Sequence, residues 1–146
     1  MTTIDDAKKA LGTPTPKMEA LIEAMYITAH ADEDFGPKER EHFIANVLGI
    51  SGGAIKADEV KGVLLKLKGK SKEGRDVRLK SIAGRLPSKA DKEHAFALAA
   101  TMAQADGIVL DEEKDFFTAM RDALGITAAR ADEIIEELTA LEPDEG

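Results

Sequence analysis

The sequence predicts an all-α protein, a single-domain helical bundle of about seven helices spanning residues 1–146. Aromatic residues make up only 4% of the chain, so its core must be built from Ala, Leu, Ile, Val and Met. This Ala-rich, strand-poor composition favours helices. Apolar residues also recur at helical spacing. An acidic helix–loop–helix pattern occurs twice, which predicts two helical hairpins with an internal pseudo-two-fold repeat.

Local start and stop signals divide the first third of the chain into helices. Residues 4–11 are predicted to form a short helix. Thr15-Pro16 places a capping hydroxyl before a proline at the first helical position, so a second helix begins there and runs to about Ala31. Gly36-Pro37 begins a third helix, which Gly49 is predicted to end.

The rest of the chain is predicted in the same way. Residues 51–86 contain two or three shorter helices, and Pro87-Ser88 begins a long helix that ends near Ala105. A further helix begins at Asp111 and ends at Gly125. Thr127 caps a last helix to about Leu141, and a polar tail at 142–146 follows. The predicted core is formed by Phe43, Val47, Phe96, Ala99, Ala103, Phe117 and Met120.

The repeat becomes visible when Asp32 is aligned with Asp106. The first copy reads Ala31-Asp32, six residues, then Glu39-Arg40-Glu41, and the second reads Ala105-Asp106, six residues, then Glu113-Lys114-Asp115. Leu48-Gly49-Ile50-Ser51 then matches Leu124-Gly125-Ile126-Thr127. The copies therefore cover about 16–51 and 88–127, and a basic connector at 52–87 separates them.

The acidic residues of the repeat have two interpretations. Glu39 and Glu113 lie in the first turns of their helices, where a carboxylate is stabilised by the helix dipole without any ligand. Asp32 and Asp106 lie where the preceding helix ends, and the dipole disfavours an anion there. Backbone N–H groups or a basic side chain can compensate, and so can a divalent cation. The candidate oxygen ligands for Ca²⁺, Mg²⁺ or Mn²⁺ are Asp32, Asp34, Glu39, Asp106 and Glu113.

Other metal and catalytic sites have weaker support in the sequence. An EF-hand is excluded, because the twelfth position counted from Asp32 is Phe43 rather than a glutamate. Glu39 and His42 form half of a di-iron motif, but Phe116 stands at the position of His42 in the second copy. A metal-dependent enzyme using a histidine is thus a minor alternative, and we expect no catalytic residues and no enzymatic activity.

The charge of the chain is divided unevenly. Residues 56–89 carry a net charge of +7, whereas the rest of the chain carries −15. These basic residues either form the solvated faces of amphipathic helices or dock a partner or an anionic membrane surface. Nucleic acid is not expected, because the chain as a whole is acidic and no aromatic residue is interleaved with the lysines. The candidate surface comprises Lys66, Lys68, Lys70, Lys72, Arg75 and Arg78.

The composition of the chain excludes some kinds of site, and its N-terminal sequence bears on the cellular compartment. The chain has no cysteine, which removes disulfides, thiolate metal sites and cysteine nucleophiles. The N-terminus is not that of a signal peptide, and no apolar run approaches the ~18 residues of a membrane span. The expectation is a cytoplasmic protein.

The second acidic segment resembles the TerB-like family. It combines a long helix ending in Ala103-Gln104-Ala105-Asp106-Gly107, the pair Ile108-Val109, and Glu112-Glu113 in the next helix. The resemblance covers about Met18 to Leu141. In the first copy Glu33-Asp34 replaces the Gly-Ile of the second.

The resemblance implies an all-helical bundle with an internal two-fold repeat. It implies a role in the bacterial response to tellurite or other chemical stress, through protein partners at the inner membrane surface. It also implies metal ligands at the acidic positions, which fall on Asp32 and Glu39 in one copy and on Asp106 and Glu113 in the other. The chain has no J-domain, so the co-chaperone role of some relatives does not carry over.

Overall fold

The computed structural model confirms the all-α prediction. It describes residues 3–11, 16–29, 37–53, 55–68, 75–105 and 114–140, which contain eight α-helices and no strand. The connector contributes two of these helices, as expected, and the eight described helices compare with a prediction of about seven. The helices are α1 (Thr3–Leu11), α2 (Pro16–Ala29), α3 (Pro37–Ile50), α4 (Ala57–Lys68), α5 (Arg75–Gly84), α6 (Lys89–Ala105), α7 (Lys114–Leu124) and α8 (Ala128–Ala140).

Helix α6 lies at the centre of the fold. Every side chain from Ala95 to Ala103 is buried, so this part of α6 is enclosed on all sides by other helices. It contacts α1, α2, α3, α7 and α8, and its longest contact is with α2. Alanines 95, 97, 99, 100 and 103 have no side chain beyond Cβ, which allows neighbouring helices to approach α6 closely.

The remaining helices complete the core around α2 and α6. Helix α5 packs against α2 and α7, and α4 packs against α2 and α3. Two edge-on ring contacts, Tyr26 with Phe43 and Phe96 with Phe117, join α2 to α3 and α6 to α7. All seven predicted core residues are buried: Phe43, Val47, Phe96, Ala99, Ala103, Phe117 and Met120.

Two of the predicted helix starts are confirmed, and a side-chain cap is present at each. The backbone N–H of Asp91 donates to Ser88 Oγ at 3.0 Å, so Ser88 caps α6. The backbone N–H of Arg130 donates to Thr127 Oγ1 at 3.1 Å and closes the start of α8 in the same way. Thr15, Gly36 and Asp111, which were predicted as other start signals, lie outside the described residues.

The predicted end of α3 at Gly49 is wrong. The helix continues to Ile50, and the residue that leaves helical geometry is Gly52, with φ of 66°. Gly53 N–H bonds to the Leu48 carbonyl at 3.0 Å and Gly52 N–H to that of Gly49 at 3.2 Å, the two bonds of a Schellman motif. Gly125, with φ of 71°, ends α7 as predicted and with the same pair of bonds.

No helix in the described part of the chain is both long enough and apolar enough to cross a lipid bilayer.

Candidate functional site

The predicted cation ligands are the first residues to place. Asp32, Asp34, Asp106 and Glu113 lie outside the described residues, and of Glu39 only the backbone is described, in the first turn of α3. The helices that lead into the two acidic segments are described, however. Their directions determine where residues 30–36 and 106–113 begin.

The N-terminal ends of α2 and α6 lie together. Lys17, in the first turn of α2, pairs with Asp91, in the first turn of α6, with 3.1 Å between Nζ and Oδ2. The two positions are 74 residues apart, the same offset that aligns Asp32 with Asp106.

The C-terminal parts of α2 and α6 also lie together, because both contact neighbouring turns of α3. The rings of Tyr26 on α2 and Phe43 on α3 meet edge-on, with centroids 5.8 Å apart. One turn further along α3, Asn46 Nδ2 donates to the sulfur of Met102 on α6 at 3.8 Å. Residues near the ends of both helices therefore converge on one short stretch of α3.

Helices α2 and α6 consequently run side by side in the same direction. From the Lys17–Asp91 pair to their last residues they extend roughly 18 and 21 Å, at 1.5 Å per residue. Both helices end at the same end of the bundle, so the two acidic segments begin there together. Helix C-termini carry negative partial charge, and two of them are therefore directed to this end.

At the opposite end, Asp91 belongs to a capping box. Burial of its carboxylate raises its pKa, but hydrogen bonds from Lys17 and from Ser88, together with the charge of Lys17, lower it by more. The net effect is a lowered pKa, so this carboxylate is held in its charged form. Ser88 in return caps the Asp91 N–H, which is the reciprocal arrangement of a capping box.

Within the described part of the chain, no group of three or more His, Asp or Glu side chains is arranged to hold a metal ion. His42 is exposed on α3, and His94 is half-buried in the first half of α6. His30 lies outside the described residues.

Some basic side chains of the connector lie on the surface and others face the interior. Lys66 is exposed and its Nζ donates to Glu19 Oε2 at 2.8 Å. Arg78 instead faces inward: its side chain is 11% exposed, its Nε lies 3.4 Å from Glu23 Oε2, and its guanidinium lies 5.5 Å from the centre of the Tyr26 ring. Arg78 therefore belongs to the interior rather than to the predicted docking surface.

The other members of the predicted docking surface are less completely described. Lys68 and Arg75 are described by backbone alone, as the last residue of α4 and the first of α5. Lys70 and Lys72 lie outside the described residues.

A buried ion cluster around Glu23 was not predicted. Glu23 is fully buried, and its carboxylate accepts hydrogen bonds from Arg78 Nε and from Arg85 Nη2. A charged residue within the apolar run Ala20-Leu21-Ile22-Glu23-Ala24-Met25 is the sequence signal that could have located it. A buried carboxylate requires a cationic partner, and the two arginines, seven residues apart, face the same way.

Two large apolar side chains remain on the surface of the connector. Leu65 on α4 is 73% exposed and Val77 on α5 is 57% exposed, and they are the exposed large hydrophobic residues of the described chain. Each immediately precedes a basic residue that reaches back to α2: Lys66 to Glu19, and Arg78 to Glu23.

In comparisons with known proteins, no family model, no curated protein and no solved structure matches the chain.

Proposed function

We propose that this chain is a single TerB-like domain and a non-enzymatic module of a bacterial response to tellurite or other chemical stress. Its working surface is the end of the bundle from which both acidic segments begin, and a divalent cation or a protein partner binds there. The proposal includes the internal repeat, with copies at about 16–51 and 88–127. The single observation that carries the location of this surface is the parallel course of α2 and α6, and the stress role rests on the resemblance of the acidic segments to the TerB-like family.

The parallel course supports the proposal because it concentrates negative charge. In the sequence, Asp32 follows the last residue of α2 by three positions and Asp106 directly follows the last residue of α6. Each of these helices ends in the negative pole of its dipole. Glu39 and Glu113 belong to the same two segments. Antiparallel helices would have sent the segments to opposite ends of the bundle.

A cation at this end would act by relieving repulsion. Carboxylate oxygens are hard ligands suited to Ca²⁺, Mg²⁺ or Mn²⁺. Neutralising them would bring the two segments closer and favour one arrangement of the hairpins. The cation would then control whether the hairpins adopt the arrangement that binds a protein partner.

The test is thermal unfolding of chelator-treated protein with Ca²⁺, Mg²⁺, Mn²⁺ or Zn²⁺ added separately. An ion at 100 times its dissociation constant stabilises the folded state by about 2.7 kcal/mol, which raises Tm by several degrees in a domain of this size. We expect a selective rise that is lost in Asp106→Asn and also in Asp32→Asn, because one shared site needs both segments.

The matched control is Asp58→Asn, which removes an exposed carboxylate from the first turn of α4, a residue outside both acidic segments of the sequence. It should leave the rise intact. A rise that survives Asp106→Asn, or no rise with any ion, would contradict cation binding and leave the acidic residues as helix caps.

A second candidate function is an interaction scaffold whose basic connector docks a partner or an anionic membrane surface, without metal. The exposure of Leu65 and Val77 within the connector favours it, since large apolar side chains at a docking surface are covered when the partner binds. In this function the protein is cytoplasmic and peripheral to the inner membrane. Charge reversal in the connector should abolish docking, and unchanged docking would count against it.

A further inference from the structure

We propose that the connector face formed by the exposed side chains of α4 and α5 binds an anionic lipid surface, with Leu65 and Val77 inserted among the lipid chains. Lys61 and Lys80 would lie against the lipid phosphates. This inference rests on the second candidate function and commits it to one kind of partner. It does not depend on cation binding at the acidic end of the bundle.

The first support is that α4 and α5 reach the same face of α2 through the residues that directly follow Leu65 and Val77. Glu19 and Glu23 are one turn apart on α2 and therefore share a face of that helix. Lys66 of α4 pairs with Glu19 at 2.8 Å, and Arg78 of α5 pairs with Glu23 at 3.4 Å. The residue before each of these cations, Leu65 or Val77, is turned away into solvent.

The second support is the composition of the exposed face on each helix. On α4 the exposed residues Asp58, Lys61, Gly62, Leu65 and Lys66 follow helical spacing and form one stripe. On α5 the exposed residues Val77, Lys80 and Gly84 form a second stripe. Each stripe therefore carries one exposed aliphatic side chain with a lysine three or four residues before or after it.

The third support is charge. Residues 56–89 carry a net charge of +7 in a chain whose total is −8, although Arg78 and Arg85 pair with the buried Glu23 and Lys66 pairs with Glu19. A basic segment near an anionic membrane gains about 1 kcal/mol per lysine or arginine at the surface. Lys61 and Lys80 are exposed and have no ion-pair partner among the described residues, so their charge is available to lipid phosphates.

A lipid surface fits this face better than a partner helix does. A helix docked in a groove requires a continuous apolar row at positions i, i+3, i+4 and i+7. The exposed stripe of α4 offers Leu65 alone among Asp58, Lys61 and Gly62. Interfacial binding, in contrast, needs only a few apolar side chains that enter the headgroup boundary and cations around them.

The experiment uses the absence of tryptophan from the chain. A Leu65→Trp variant carries one tryptophan on the proposed face, and an Ala45→Trp variant carries one at an exposed position of α3 as the matched control. Each is mixed with vesicles of phosphatidylglycerol, of phosphatidylcholine, or with dextran sulfate, a polyanion without acyl chains. We expect emission to move to shorter wavelength only for Leu65→Trp and only with phosphatidylglycerol.

Sedimentation with vesicles then separates the contributions of charge and insertion. Lys61→Glu/Lys80→Glu should weaken binding to phosphatidylglycerol vesicles about 30-fold or more. Lys38→Glu/Arg40→Glu makes the same change in net charge at exposed positions of α3 and should have little effect. Leu65→Gln/Val77→Gln should weaken binding about tenfold, because glutamine keeps the helix propensity but cannot insert.

The outcomes distinguish this inference from the function on which it rests. Vesicle binding that depends on the lysines, with no emission shift and no effect of the glutamine variants, would overturn insertion and leave an electrostatic docking surface. Binding to dextran sulfate without binding to vesicles would overturn the lipid as partner. If the protein binds neither phosphatidylglycerol vesicles nor dextran sulfate, both the inference and anionic docking by the connector are overturned.

Discussion

At the scale of single residues, the ion pairs that join helices matter more than the number of charges on the surface. The Lys17–Asp91 pair aligns the first turns of α2 and α6, and Arg78 and Arg85 fix α5 to the buried Glu23. The sequence places Glu23 in an apolar run and Arg78 in a basic block. It does not reveal that they meet, because helical spacing indicates which face of a helix is polar but not which helix lies opposite.

The Asp91 carboxylate gives a prediction for stability against pH. Its pKa is lowered in the folded protein, so it stabilises the fold fully above its unfolded value of about 3.9, and this stabilisation is lost as pH falls through the lower folded value. Asp91→Asn should reduce the free energy of unfolding by about 1 kcal/mol at pH 7. Denaturant unfolding should show this deficit constant down to about pH 5 and shrinking below pH 4.

Lys17→Gln supplies the control for this measurement, because it removes the partner and leaves the Ser88 cap in place. The effect of Asp91→Asn should be smaller in the Lys17→Gln background. A deficit of the same size in both backgrounds would mean that the carboxylate acts through the cap alone.

At the scale of elements, local chemistry predicted the helices best where a side chain makes the cap. Ser88 and Thr127 mark their helix starts in the sequence and bond as expected in the structure. Gly49 shows the limit of such signals. It is followed by Gly52 and Gly53, and only the Schellman bonds decide which glycine takes the left-handed conformation.

A pair of glycine substitutions tests where α3 ends. Gly52→Ala forces a side chain into a backbone with φ of 66° and should lower the free energy of unfolding by about 1–2 kcal/mol. Gly49→Ala replaces a helical glycine and should raise that energy by up to about 1 kcal/mol. A Cβ at either position would meet no atom within 4 Å, so the backbone alone separates the two results.

Chemical denaturation of the two variants beside the parent protein provides the measurement. The reverse order, with Gly49→Ala destabilising and Gly52→Ala neutral, would place the end of α3 at Gly49 after all.

At the scale of the whole molecule, the arrangement that supports the proposed function is the one that sequence reasoning left open. The core residues could be predicted, because burial follows apolar spacing within each helix. The parallel course of α2 and α6 could not, since it depends on contacts between residues far apart in the chain. The sequence pattern does not reveal which residues of different helices meet, as residue 17 meets residue 91 and residue 46 meets residue 102.

Distances between spin labels would check this arrangement directly. The chain has no cysteine, so cysteine pairs can be introduced and labelled without background. Ala29→Cys/Ala105→Cys should give a short distance between labels at the shared C-terminal end of α2 and α6. Lys17→Cys/Ala105→Cys should give a clearly longer distance of roughly 20 Å or more, because about 21 Å of helix separates Asp91 from Ala105.

The control pair is Lys17→Cys/Asp91→Cys, which removes the ion pair but should again give a short distance at the N-terminal end. A short distance for Lys17→Cys/Ala105→Cys, combined with a long one for Ala29→Cys/Ala105→Cys, would make the helices antiparallel. The two acidic segments would then begin at opposite ends of the bundle.

The contact between Lys17 and Asp91 also bears on the ancestry of the chain. In the proposed repeat the two positions correspond, so a dimer of two identical halves would have set lysine against lysine, or aspartate against aspartate, at this place. Opposite charges remove that repulsion only when the halves differ. In the proposed repeat, unlike residues at this place let each copy pair with the other better than with a second copy of itself, which is a physical reason for the two to stay on one chain.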